Sequence, residues 1–131
     1  MTKKCWDVHQ TSARVHENLG NMMGRIVSQT VRIDGEEVIF FCCYFDGECK
    51  FAGNGVNCDM LSHICYVTRN GRKIFVIFAG FNFEPSRWQE FSVPWLQRLD
   101  AVTMAPRGAA FTCKSGNQRV LDYAVMSSRL A

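Results

Sequence analysis

From Arg25 onward the apolar positions fall into short β-type runs, interrupted once by a stretch of helical period. Ile26, Val27, Val31 and Ile33 are β-branched, Asp34-Gly35 is a hairpin signal, and Val38-Ile-Phe-Phe-Cys-Cys-Tyr-Phe45 reads as a buried strand. The two runs are expected to pair antiparallel. Phe51-Ala-Gly-Asn-Gly55 is a loop. Val56, Met60, Leu61, Ile64 and Val67 then recur at three- and four-residue spacing, which predicts a helix with Asn57 or Asp59 near its start and Asn70-Gly71 after its end. Ile74-Phe-Val-Ile-Phe78 is continuously apolar, as expected for a strand buried on both faces. Short helices are predicted after Pro85 and from Pro94 to Leu99, short strands at Ala101 to Met104 and Ala109 to Cys113 around Pro106-Arg-Gly108, and a last strand from Arg119 to Ser127. Residues 1–23 carry only Trp6, Val8, Val15 and Leu19 at a loose helical spacing, and are read as an arm or weak helix ahead of a domain at 24–131.

This order of elements predicts an α/β domain, a layered β-sheet with flanking helices. At 131 residues, 47% hydrophobic and 21% charged, the chain is expected to be a single folded unit rather than a disordered one. A net charge of +3 permits a polyanionic partner without requiring one. The seven cysteines are odd in number and form no Cys-x-x-Cys pair, so reduced core and loop thiols are expected. Lys3-Lys4 is not followed by an apolar segment, and no run approaches the ~20 residues of a membrane span. An intracellular, soluble protein without membrane association is the expectation.

Two segments carry the functional signal. Phe75-Val-Ile-Phe-Ala-Gly-Phe-Asn-Phe-Glu-Pro85 is a hydrophobic strand ending in Gly80-Phe81-Asn82, and Val120-Leu-Asp-Tyr-Ala-Val-Met-Ser127 is a strand opening on Leu121-Asp122-Tyr123. The first resembles the strand that ends in Gly-Asp-Phe-Asn in the endonuclease/exonuclease/phosphatase superfamily, and the second its Ile/Leu-Asp-Tyr strand. Gly24-Arg-Ile-Val, the strand ending in Tyr44, the Asn57 helix and the Thr112-Cys113 loop follow in the same order, so the resemblance covers about Gly24 to Leu130. It implies part of that family's four-layer α/β sandwich, two sheets covered by helices. It also implies Mg²⁺-assisted hydrolysis of phosphodiesters or phosphomonoesters wherever the family activity is retained. Carried over residue by residue, it gives Asn82 and Asp122 as catalytic positions and Tyr44 and Thr112 as substrate contacts. Each has a plainer reading as well: Asn82 as a turn residue, Asp122 as a structural hydrogen-bond acceptor, Tyr44 as a strand-end aromatic. Thr112 follows Phe111 where the family commonly has proline.

The departures from the pattern bear directly on the chemistry. Gly80 stands where the family has the aspartate that positions or deprotonates water, a function worth about 10² to 10⁴ in rate. No histidine follows His63, so Asp122 lacks the family's Ser-Asp-His imidazole, and residues 1–23 hold no counterpart of the metal-binding glutamate. The resemblance therefore implies a truncated, catalytically impaired phosphoesterase-like chain. Its single sheet would leave an apolar face for a partner such as a second copy. The alternatives are a non-enzymatic nucleic-acid-binding or protein-interaction module, or a fragment of a decayed mobile-element protein.

Other clusters point to less. Cys49, Cys58, His63 and Cys65 lack the spacing of a zinc finger, Cys58 or Ser62 with His63 lacks an orienting motif, and Asp59 with His63 reads as a surface helix pair. Arg69, Arg72 and Lys73, and Arg107, Lys114 and Arg119, are basic turns able to meet phosphate but more simply solvated.

Overall fold

The computed structural model describes residues 7–9 (backbone), 24–47, 55–82, 95, 97–104, 107–108 and 120–130. They form β1 (Asp7–His9), β2 (Ile26–Ile33), β3 (Glu36–Tyr44), α1 (Val56–Val67), β4 (Ile74–Gly80), β5 (Ala101–Met104) and β6 (Asp122–Ser127), followed by a 3₁₀ turn at Ser128–Leu130. The strands make one six-stranded mixed sheet in the order β1-β2-β3-β4-β6-β5. This is the α/β layered class expected from the sequence.

Asp34 (φ 51°) and Gly35 (φ 82°) both take the left-handed conformation that a tight hairpin needs, so Ile33 pairs with Glu36 and the register runs unbroken to Ile26 with Cys43. β3 and β4 are parallel and in register from Val38 with Ile74 to Tyr44 with Gly80. A parallel pair needs a crossover, and α1 supplies it. β4 then pairs antiparallel with β6, and β6 with β5. β1 extends the sheet beyond β2, a strand where the spacing had suggested a weak helix or arm. The predicted helix after Pro85 and the strand at Ala109 to Cys113 lie outside the described residues.

Alternation along each strand sends one set of side chains toward α1. Ile39, Phe41 and Cys43 of β3, Phe75, Ile77 and Ala79 of β4, and Tyr123 and Val125 of β6 pack with Met60, Leu61, Ile64 and Cys65 of the helix. Phe81 lies among them, its ring 5.2 Å from that of Phe45 and 4.1 Å from that of Tyr123, both stacked.

The exit of α1 is strongly constrained. Thr68 Oγ1 donates to the Ile64 carbonyl (2.8 Å) and accepts from the Gly71 amide (3.1 Å). Arg69, Asn70 and Gly71 have positive φ, and a Cβ on Gly71 would lie 2.1 Å from the Leu99 carbonyl oxygen, so only glycine fits there.

The opposite face of the sheet is exposed at the end where β3 and β4 finish and closed farther back, where Val31, Val38 and Val76 are buried. Val27 is 65% exposed, Tyr44 57%, Phe78 50% and Met104 38%. This corrects, at Phe78, the expectation that Ile74 to Phe78 is buried on both sides. Phe75, Val76 and Ile77 are buried, so both faces of the run are covered until Phe78.

Candidate functional site

The site follows from register. Tyr44 ends β3, Gly80 ends β4 and Asp122 begins β6, and these positions pair directly, Tyr44 with Gly80 and Gly80 with Asp122. They form one row across three strands at the same end of the sheet, on the face exposed there. A Cβ built on Gly80 would sit 3.2 Å from Asp122 Oδ1 and 3.5 Å from Tyr44 Cδ2, so carboxylate and phenol close over the bare glycine. An added carboxylate would meet that of Asp122.

Arg25 completes the row from the β2 side. Its Nη1 donates to the Tyr44 carbonyl (3.2 Å), its guanidinium lies 5.6 Å from the Tyr44 ring centroid, and its Nη2 is 3.6 Å from Asp46 Oδ2. Asp46 is held in turn by fully buried Asn57, which accepts from the Asp46 amide (2.8 Å) and donates to its carbonyl (2.9 Å). α1 starts at Gly55 without a side-chain cap, so Asn57 is not the cap the sequence suggested; it ties the helix to the exit of β3. Arg25, Tyr44, Gly80 and Asp122, with Cys42 and Phe78 behind them, line a concavity of about 690 Å³.

Asn82 lies just beyond the row. It has a positive φ of 59°, and its Nδ2 donates to the Phe45 carbonyl at 2.6 Å. Its Cβ lies 3.2 Å from where a Cβ on Gly47 would stand. The amide thus pins the exit of β3 to the exit of β4. Tyr44 and Asp122 come together, with Asn82 bracing the loop beside them. Thr112 lies outside the described residues. His63 is 3% exposed within α1, which overturns its reading as half of a surface pair with Asp59. Arg72 and Lys73 precede β4, at the end of the strand opposite Gly80, so that basic turn is no part of this row.

Among the described residues, no group of three or more His, Cys, Asp or Glu side chains is placed to hold a metal ion. Asp122 is the one carboxylate lining the concavity there, and Asp46 faces Arg25. A divalent cation takes several oxygen ligands, so these residues do not fit a self-sufficient metal site. What the row offers is a guanidinium and a phenol for an anion, and one acceptor in Asp122. Burial pushes the Tyr123 phenol far above its usual range, keeping it neutral beneath the row. Burial, and secondarily Cys42, does the same to the Cys43 thiol.

The structure of this chain matches solved structures of hydrolytic domains. The endonuclease domain of TRAS1, a telomere-specific non-LTR retrotransposon, is similar over 95% of this chain and 57% of its own, with a TM-score of 0.64 and 18% identity. The human Nocturnin catalytic domain (TM-score 0.54, 17% identity) matches over 79% of this chain and 41% of its own. An endonuclease/exonuclease/phosphatase family protein of Bacteroides thetaiotaomicron (TM-score 0.55, 13% identity) does so over 79% and 41%. The chain has part of the endonuclease/exonuclease/phosphatase fold. No family model and no curated protein sequence matches it.

The chain spans roughly half the length of these endonuclease/exonuclease/phosphatase structures. Sequence reading found Tyr44, Gly80 and Asp122 through motifs but missed Arg25 as a member of the row. The signal was present: Arg25 stands directly before β2, where continued pairing places it opposite Tyr44, and the Tyr44 amide donates to its carbonyl (2.8 Å).

Proposed function

We propose that this chain is an endonuclease/exonuclease/phosphatase-fold module that recognises phosphoesters but hydrolyses them weakly or not at all. The observation that carries this reading is Gly80 at the centre of the Tyr44–Asp122 row, where the resemblance calls for a carboxylate. With no side chain there, water at the row has no base from β4 to hold or deprotonate it. Arg25 and Tyr44 contact the phosphate, a guanidinium being suited to its paired oxygens. Asp122 orients a polar group beside it, Asn82 positions the loop, and Thr112 is a further substrate contact carried by the resemblance. A Mg²⁺ requirement belongs to this reading only where residual turnover exists.

The test is to incubate the chain with nicked, abasic and single-stranded DNA and with RNA, with and without Mg²⁺ or Mn²⁺, while measuring binding separately. The reading expects salt-dependent binding weakened by Arg25→Ala, and no turnover above that of Asp122→Ala. Metal-dependent cleavage that disappears in Asn82→Ala and Asp122→Ala would overturn the loss of hydrolysis. Absence of binding would overturn phosphoester recognition. A protein-interaction role is favoured by a separate observation, the apolar side chains exposed at that end of the sheet.

A further inference from the structure

The exposed end of this face forms a slot with an aromatic back wall. Paired positions share a face, so behind the row of Arg25, Tyr44, Gly80 and Asp122 stands the row of Val27, Cys42, Phe78 and Ala124, with Met104 beyond it. The neighbours of Phe78 across the sheet, Cys42 and Ala124, are small, which leaves its ring half exposed. Phe40, opposite buried Val76 one row farther in, stacks on Phe78 with ring centroids 6.2 Å apart and planes 4° from parallel. The side of the Phe78 ring away from Phe40 therefore faces the row of Gly80. Two residues along a strand span about 7 Å. Packed carbon planes lie about 3.5 Å apart, so the space between the two rows takes one flat ring. Gly80 has no side chain to fill it.

We propose that the concavity holds an unpaired nucleobase stacked on Phe78, which makes single-stranded nucleic acid the ligand of this site. The inference rests on the phosphoester reading of the row and names the molecule that carries the phosphoester. Arg25 and Tyr44 hold a backbone phosphate at the mouth, and the adjoining base enters over Gly80 and lies against the Phe78 ring. A cationic group beside exposed aromatics is the usual combination for a single strand, because each base has a π-face to stack. Val27 and Ala124, flanking the slot, have no hydrogen-bonding side-chain group to read a base edge, so all four bases are accepted. A duplex keeps its bases paired and stacked on one another, and freeing one costs that pairing and stacking. The front wall of the slot is the polar row itself. A base meets it with polar ring and edge atoms, whereas a hydrocarbon chain, the other apolar body a phosphate can carry, meets it with none. Gly80 thus has a second consequence, since any side chain there would take the place of the base.

The experiment is fluorescence anisotropy of the full chain at low salt with three labelled oligomers of equal length: a deoxyadenosine single strand, its duplex with the complement, and an abasic backbone. Circular dichroism verifies folding. The single strand is expected to bind about tenfold or more tighter than either of the others. Phe78→Ala, at a half-exposed position, should lower single-strand affinity to that of the abasic backbone and leave the abasic affinity unchanged, while Phe78→Trp should keep single-strand affinity within a few-fold. Bound single strand should also shield Cys42, beside Phe78, from a thiol reagent. An abasic backbone or a duplex that binds as tightly as the single strand, or a Phe78→Ala chain that binds the single strand as before, would overturn the stacked base and leave phosphoester recognition standing. Phe78-dependent binding of phosphatidic acid vesicles, without preference among the oligomers, would overturn it in favour of a lipid chain. Failure of all three oligomers to bind would overturn both readings.

Discussion

The two faces of this one sheet are built from nearly the same residue types and are covered to different extents. On the α1 side, Phe41, Phe75, Ile77 and Val125 are fully buried. On the other side, Val31, Val38 and Val76 are buried, but Val27, Phe78 and Tyr44 at the strand ends near Gly80 are half exposed or more. Adjacent residues of β3 show the contrast most sharply: Cys43 is buried and Cys42 exposed. The difference is one of cover, because α1 follows β3 in the chain and must cross one face to reach β4. An apolar strand therefore specifies what each face will accept, while the connection decides which face is covered along the whole strand.

The largest expected effect comes from exchanging aromatics across the two faces. Phe81→Ala removes a ring stacked between Phe45 and Tyr123 and should cost about 3–5 kcal/mol. Phe78→Ala should cost less than about 1 kcal/mol. Urea unfolding of both checks this, and equal losses would break the comparison. Next is the covering connection. Gly71→Ala forces a Cβ against the Leu99 carbonyl at a positive φ and should cost about 2–4 kcal/mol by the same measurement.

Asn57→Ala strips the Asp46 amide and carbonyl of their buried partner and should cost about 1–3 kcal/mol. It also loosens the Arg25–Asp46 pair, so it should weaken any phosphoester binding measured alongside. Gly80→Asp sharpens the site. Its new carboxylate crowds Asp122, so a destabilisation of about 1–2 kcal/mol that is relieved at acid pH is expected, without recovered turnover.

The last effect is one of pH. Cys43 and Tyr123 both face the covered side, and burial raises both above their unfolded values of about 8.5 and 10. A raised folded value means the native state holds the proton more tightly. Their contribution is therefore complete below about pH 8 and declines as pH rises through the unfolded values. Stability should fall between about pH 8 and 11, less steeply in Cys43→Val, as followed by denaturant titration.

Much of this was legible because it is local. Asp34-Gly35 fixes the hairpin by backbone conformation alone, and the spacing of Met60, Leu61 and Ile64 gives the helix. Gly80-Phe81-Asn82 and Leu121-Asp122-Tyr123 stood out as motifs, and register brought Gly80 and Asp122 together. What depended on tertiary pairing was hidden. Phe78 lies in a run with no alternation to reveal its outward direction, and Asn57 looked like a cap because its true partner, Asp46, is in a preceding loop. Arg25 reaches the site only through its pairing beyond the register of β2. Asn82 resembled a catalytic amide and is a brace for Phe45.

Thiol labelling followed by mass spectrometry tests the contrast between the faces most directly, since Cys42 and Cys43 are neighbours on opposite sides of β3. In the native chain Cys42 should label rapidly and Cys43 only on unfolding. Cys43 labelling alongside Cys42 in the native chain would contradict an account in which the helix closes one face of β3 and leaves the end of the other exposed.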